Sequence, residues 1–401
     1  MNFNSGPSRV IHLDLNSCFA SIEQQANPFL RGKPIAVAAY NSPGGCILAA
    51  SVEAKKFGIK TGMRVREGQA IFPKLVVLTS DPNKYRDVHL KFKKLLSDYG
   101  HPTAKSIDEF VLELDDPWKY APEIKSRIKK EIGEWLRVSV GISTNRYLAK
   151  VAAGLHKPDG LDEICSSNFQ KIFSGLSLMD LTGIKKGNTT RLNSAGIFTV
   201  LDFYNASGRN LQAAFHSIIG HDWFLRLHGY EADGQEFARR SFGNSFALPV
   251  PYSKPEELAP ILAKLVEKTG FRLRTAGYHA GGVHVSLVFR DWSFWHHGQK
   301  VATIFDSRDI FKIAFKILSS CPNRKPVHTL AVSVFNLEKN TCQQLGFFDD
   351  RKEELVKAMD KVNKRWGDFV ICPASMMETA SVVHDRIAFG RVRELEESVL
   401  Y

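Results

Sequence analysis

Two acidic strings, far apart in the chain, constrain it more than any other feature. The first is Ile11-His12-Leu13-Asp14-Leu15-Asn16-Ser17-Cys18-Phe19, and the second is Ser106-Ile107-Asp108-Glu109-Phe110-Val111-Leu112-Glu113-Leu114. In both, carboxylates interrupt apolar runs with strand-like composition. A carboxylate in or at the end of a buried strand is costly unless a cation pairs with it. Three such groups brought together repel one another, and a pair of Mg²⁺ ions is the natural counter-charge, the apparatus of in-line phosphoryl transfer. Neighbouring strand residues point to opposite faces, so Asp108 and Glu109 both reach a metal only from the start of the strand, beside a turn or bulge. Gly100-His101-Pro102-Thr103 leaves room for one.

Read singly, each string has a plainer explanation. Asp14 could cap the helical stretch that follows it, and Asp108 and Glu109 could be solvated at a hairpin tip. Taken together with the segments below, the two strings favour the metal reading over the plainer ones.

The chain has 401 residues, 44% of them hydrophobic, enough for two to four domains with real cores. Its formal charge of +12 suits a polyanionic partner. The excess is concentrated in residues 237–340, where Lys and Arg outnumber Asp and Glu by about two to one. Six cysteines without CxxC spacing suggest neither a zinc site nor a disulfide framework and fit a reducing cytoplasm. No apolar signal core or membrane-length run is evident, so a cytoplasmic protein without membrane association is expected.

Strands are expected at 9–15, 34–39, 46–51, 75–79, 105–114 and 137–142. Helices are expected at 17–26, 52–57, 83–99, 119–136 and 145–155. From Leu176 the texture changes, and Leu181-Thr182-Gly183-Ile184-Lys185-Lys186-Gly187 resembles a helix-hairpin-helix, whose exposed amides bind phosphate without reading sequence. An ordinary glycine-bearing helix turn is the plainer alternative. After a linker at 230–240, strands (241–248, 282–290, 327–335) alternate with helices (255–275, 306–320). Val283, Val285, Leu287 and Phe289 alternate with His284, Ser286, Val288 and Arg290, as in an open sheet with one face on helices and one on a ligand. A further helix is expected near 351–365.

The two acidic strings resemble the metal-binding motifs of the Y-family, translesion-type DNA polymerases, closest to the polymerase IV (DinB) branch. Asn145-Arg146-Tyr147-Leu148-Ala149-Lys150 through Leu155-His156-Lys157-Pro158-Asp159-Gly160 resembles a third motif of that family. The likeness runs from about Val10 to the C-terminal region. It implies a multidomain α/β protein, a right-hand polymerase with an α/β palm (1–18 and 79–175), small fingers (19–78), a helical thumb with a helix-hairpin-helix (176–236), an α/β little finger (241–348) and a C-terminal tail (349–401). It implies template-directed, error-tolerant DNA synthesis on damaged templates, with primer-template DNA and dNTPs as partners and a monomer as the working state. Asp14 and Asp108 would bridge two Mg²⁺ ions, Glu109 would serve the ion nearest the primer 3′-hydroxyl, and the Leu15 carbonyl would complete the other. The amides of residues 16 to 19, among them Ser17 and Cys18, would meet the triphosphate, and Lys157 would reach its β- and γ-phosphates. Phe19 would be the steric gate against ribonucleotides, and Met63 would roof the nascent base pair.

The chain departs from this pattern at Ala50-Ser51-Val52-Glu53-Ala54-Lys55. The family usually has tyrosine at the Val52 position and arginine at the Lys55 position, both holding the triphosphate. Val52 has no donor, and Lys55 keeps the charge without the two-pronged fork. Asn16 stands where relatives often have Asp. Gln343-Gln344-Leu345-Gly346-Phe347-Phe348 resembles a sliding-clamp docking peptide, with Gln344, Leu345, Phe347 and Phe348 as anchors; a local packing cluster is the alternative. Two other functions compete: a non-catalytic DNA-binding relative serving as a recruitment scaffold, which the departures at Val52 and Lys55 favour and the three intact carboxylates oppose, and a two-metal nuclease, which would have no need of a triphosphate grip.

Overall fold

The computed structural model describes residues 1–234, 238–339, 350–379 and 383, which fall into two compact units, one over residues 1–234 and one over 238–383. Eight strands form the sheets of the first: β1 (Val10–Leu15), β2 (Ile35–Ala38), β3 (Ile47–Ala50), β4 (Val76–Thr79), β5 (Thr103–Ala104), β6 (Glu109–Glu113), β7 (Val138–Ser143) and β8 (Leu161–Ile164). The larger sheet runs β5-β6-β1-β7-β8. β1 is central and almost wholly buried, which explains its apolar composition. Its antiparallel pairing with β6 sets Asp14 opposite Glu109.

The acidic segment is a strand only from Glu109 onward. Before it, the amides of Lys105 and Ser106 turn back to the Glu109 carbonyl, so Asp108 sits beside a turn at the head of β6, where the two carboxylates escape strict alternation. The helix Arg146–Leu155 starts at Asn145, whose side chain accepts from the Leu148 amide at 2.7 Å. It lies on β7, and its close approach is possible because Gly141 has no Cβ to meet the Ala149 and Ala153 backbone. That contact carries Lys150 to the strand ends.

The small sheet β3-β2-β4 packs with the helices Val52–Lys56 and Val65–Ile71 around Ala36, Ile47, Ala54, Ile59 and Leu75. Five helices between Phe169 and Leu227 enclose Phe173, Leu192, Phe203, Leu211 and Trp223. Among their connections is the turn at Gly183, whose φ of 92° is open to glycine at little cost; Leu181 and Ile184 are buried beside it, while Lys185 and Lys186 are exposed.

The second unit is a sheet of order β11-β10-β12-β9, built from β9 (Ser241–Tyr252), β10 (Tyr278–Phe289), β11 (Phe294–Ile304) and β12 (Val327–Lys339). The helices Pro255–Thr275 and Ser307–Ser319 cover one face, burying Val283, Val285, Leu287 and Phe289. β11 is absent from the expected strands because it is a largely exposed edge strand with little apolar alternation. β10 starts earlier than its composition suggests, since Gly281 and Gly282 mask a strand whose Gly282 lies under the Phe335 ring. The helix Asp350–Trp366 is tied to the sheet's helices by Arg274, which donates to both Asp360 carboxylate oxygens at 2.7 and 2.8 Å. Gln344, Leu345, Phe347 and Phe348 lie outside the described residues. No helix among the described residues is long and apolar enough to cross a membrane.

Candidate active site

The ends of β1 and β6 open into a cleft of about 540 Å³ lined by Asp14 through Phe19, Leu48, Val52, Lys55, Thr61, Asp108 and Lys157. Segments far apart in sequence thus converge on the residues expected to act together. Ligand atoms of Asp14, Glu109 and His12 lie within 4.8 Å of one another, and Asp108 faces the same cleft from the turn before β6.

Each carboxylate has a partner. Asp14 pairs with the Lys157 ammonium at 2.6 Å. Both oxygens of Glu109 accept from Lys150, at 2.8 and 2.7 Å. Asp108 accepts from the Ser106 hydroxyl. Burial pushes the Asp108 carboxyl up, against the pull of Ser106, and the charge of Asp14 adds to the push. Burial likewise raises Glu109, and Lys150 draws it partly back. These signs describe a site where negative charge is crowded and where added cationic charge is favourable.

Two residues of this site carry no role in the sequence-based reading. His12 is buried, and its Nε2 has no hydrogen-bond partner and lies 3.9 Å from a Glu109 oxygen. Burial, with the charges of Lys150, Lys157 and Lys105, lowers it to about 3, so the ring is neutral at pH 7 and offers a lone pair or an N–H. Its signal was period-two alternation, which sets His12 and Asp14 on one face of β1. Lys150 gave no such signal, because its reach to Glu109 depends on the packing of a helix onto β7.

Asn16 is more than a neutral replacement. Its buried carboxamide oxygen accepts from the Asp159 amide at 2.7 Å and the Ser139 hydroxyl at 3.1 Å. Asp159 is held in turn by Lys125 at 3.1 Å and Lys129 at 3.0 Å. The loop that carries Lys157 is therefore pinned to the strand that carries Asp14.

Ser17 precedes the helix Cys18–Ala26 with a left-handed φ of 52°; residues 16–19 line the cleft, and the first amides of a helix lack intrahelical acceptors. The Asn16 amide is already committed to the Arg137 carbonyl at 2.9 Å, which leaves residues 17–19 as the available part of the expected 16–19 cradle. The Ser17 hydroxyl is buried without a partner. The Cys18 thiol is pushed well up by burial and by the charges of Asp108 and Asp14, so it stays neutral. Lys55 faces the cleft; burial and the charge of Lys157 lower its pKa, opposed by Asp14 and Asp108. Val52 presents only an apolar surface. Phe19 lines the cleft at 5% exposure, its ring stacked on Tyr85 at 4.2 Å. Met63 is partly buried against the small sheet's core, whereas Leu48 and Thr61 line the cleft from that side.

Comparison with known proteins agrees with this arrangement. The impB/mucB/samB family matches residues 13–154, and that family's C-terminal domain matches 239–347. DNA polymerase IV of Pelotomaculum thermopropionicum is 31% identical over 399 residues, covering 94% of this chain and 97% of that relative. DNA polymerase IV 1 of Bacillus subtilis is 29% identical, covering 91% and 92%. Among solved structures, a Dbh-based Y-family DNA polymerase chimera has a TM-score of 0.73 at 24% identity, over 82% of this chain and 99% of that one. From the two matched domains and full-length relatives, the chain belongs to the impB/mucB/samB family, as a DinB-type Y-family polymerase.

Proposed function

We propose that this protein is a template-directed DNA polymerase that adds dNTPs to a primer 3′-end and tolerates damaged templates. The observation that carries this reading is the convergence of Asp14, Asp108 and Glu109 at one end of a cleft that is also lined by Lys157, Lys55 and the start of the helix Cys18–Ala26. A nuclease has no use for the second half of that list, and a scaffold has no use for the first. The relatives named DNA polymerase IV support the same conclusion.

The acidic group fits a divalent cation: crowded carboxylates raised by burial, and a neutral imidazole nitrogen beside them without a partner. Asp14, Asp108 and Glu109 would hold two Mg²⁺ ions with the Leu15 carbonyl. When bound, Mg²⁺ supplies acidity to the primer hydroxyl and charge neutralisation to the triphosphate and pyrophosphate. The protein's own groups do the positioning. Lys157, Lys55 and the amides of residues 17–19 would hold the phosphates. Phe19, backed by Tyr85, would press against the sugar and exclude a 2′-hydroxyl. Lys150 keeps Glu109 oriented. We assign the palm to 1–18 and 79–175, the fingers to 19–78, the thumb to 176–236 and the little finger to 241–348, with Met63 above the base pair and Gln344, Leu345, Phe347 and Phe348 as clamp anchors. A primer-extension assay with Mg²⁺ and each dNTP tests the reading. Extension is expected; binding without extension or primer shortening would overturn it.

A further inference from the structure

His12, beneath the carboxylates, is a buried polar group that the proposed chemistry does not use. It is 2% exposed, and its Nε2 has no hydrogen-bond partner. Strand alternation sets it on the Asp14 face of β1, two residues further in. Directly across the sheet it faces Val111 on β6 and Gly141 on β7, neither of which has a side-chain acceptor. Val10, Val111 and Ala149 form a small apolar cluster of buried residues nearby. Glu109 is diagonal to His12 across β1 and β6, and its Oε2 lies 3.9 Å from the ring's Nε2. That is about 1 Å longer than an N–H···O hydrogen bond.

An unpaired buried ring nitrogen is destabilising, a cost that an aliphatic side chain at the same position would not carry. Lys150 meanwhile holds both Glu109 oxygens, at 2.8 and 2.7 Å. Binding of a divalent cation beside Asp14 needs electron pairs on those same oxygens, and the Lys150 ammonium opposes it by like charge. As Glu109 leans toward the cation, one oxygen must part from Lys150. An imidazole N–H can receive that oxygen without adding charge, and a side-chain movement of about 1 Å brings the two into bonding range.

We infer that His12 is a positioning residue for Glu109: its Nε2–H takes the Glu109 oxygen that Lys150 gives up as the carboxylate turns to a divalent cation. The inference rests on the reading of Asp14, Asp108 and Glu109 as the metal site of a polymerase. Its signature is a split between stability and binding. A residue kept for packing costs stability when it is replaced. A residue kept for the loaded site costs metal affinity instead.

The test uses the full-length protein and Mn²⁺ alone, a cation visible by electron paramagnetic resonance that shares the oxygen preference of Mg²⁺. Binding that Asp108→Ala fails to remove is discounted. His12→Leu is close in volume and has no donor. It should weaken Mn²⁺ binding about tenfold, the order set by one charge-assisted hydrogen bond, with a melting temperature equal to or above that of the wild type. His12→Gln returns an N–H and should restore most of the affinity. Unchanged Mn²⁺ binding in His12→Leu would overturn the inference. So would a lowered melting temperature with equal loss of binding in both variants, the pattern of a packing role. Coupling of the Mn²⁺ signal to an imidazole nitrogen, read by electron spin echo, would make His12 a ligand and overturn it as well. Rescue by His12→Gln in a protein that fails to extend primers would uphold this inference and sink the polymerase reading alone.

Discussion

Replacing Asn16 by Leu is the perturbation that separates a passive filler from a positioning group. The side chain is buried, and its oxygen is the acceptor for two donors, the Asp159 amide and the Ser139 hydroxyl. Leucine has a similar volume and accepts nothing. The hydroxyl can rotate to another acceptor, but the amide cannot. A buried donor left unpaired costs about 1–3 kcal/mol, so a stability loss of about 2 kcal/mol is expected, read as a lowered melting temperature. The functional effect should be larger in one parameter than in another. Freed from Asn16, the loop around Asp159 no longer fixes Lys157 against β1, and about 1.4 kcal/mol of lost phosphate binding corresponds to a tenfold rise in KM for dNTP. Steady-state single-nucleotide incorporation on a fixed primer-template measures KM and kcat separately, and kcat should fall much less than KM rises. Asn16→Asp preserves both acceptor contacts and should stay near wild type in KM. Lys157→Ala completes a double-mutant cycle: if Asn16 acts through Lys157, the KM effect of Asn16→Leu should largely vanish in that background. Additive effects would refute the reasoning and make Asn16 a stability element alone.

Asp108→Ala and Glu109→Ala should each abolish primer extension while leaving DNA affinity, measured by anisotropy, nearly intact; extension at near wild-type rate by both would remove them from the metal site. Val52→Tyr combined with Lys55→Arg should lower KM for dNTP by about tenfold, because a charge-assisted hydrogen bond is worth about 1.5–3 kcal/mol at best, and an unchanged KM would mean that other groups already fill those roles. Phe19→Ala should raise ribonucleotide incorporation relative to dNTP incorporation, whereas Cys18→Ala should not; an early-melting Phe19 variant that still rejects ribonucleotides would make Phe19 a core residue only. Replacing Phe347 and Phe348 by Ala should remove clamp-stimulated synthesis and spare distributive synthesis, and loss of basal activity would favour local packing over docking.

The residues that the sequence made legible are those whose chemistry clashes with their surroundings. Asp14, Asp108 and Glu109 stand out because charge inside an apolar strand needs a reason. The placement of Asp108 beside a turn followed from strand geometry, and the register of β1 against β6 bears it out. Outward His284 and Ser286 followed from alternation in the same way. What was hidden depends on closure over long distances. The acceptor role of Asn16 joins residues 143 apart in the chain, and no local pattern encodes it. Lys150 looks like any solvated helix lysine until the helix is laid on Gly141. β11 escaped because an edge strand bears little of the burial that imposes alternation.

The two lysines beside the carboxylates differ in a way that bears on how the cleft is loaded. Lys150 bonds both oxygens of Glu109, whose side chain is 16% exposed. That two-point contact costs more to break than a one-point contact. Lys157 touches Asp14 through one oxygen, and its side chain is 40% exposed. The two pairs are shielded alike, at 33% and 16% for Lys150 and Glu109 against 40% and 15% for Lys157 and Asp14. The difference therefore lies in the number of contacts: a one-oxygen pair gives up less than a two-oxygen one when its lysine turns to an incoming phosphate. On the proposed function the same ammonium would guard Asp14 and then grip a triphosphate, provided its loop stays in place during the exchange. The bonds from Asn16, Lys125 and Lys129 to Asp159 hold that loop by several paired contacts. A polymerase whose Val52 and Lys55 offer a reduced grip would depend all the more on this one well-anchored cation.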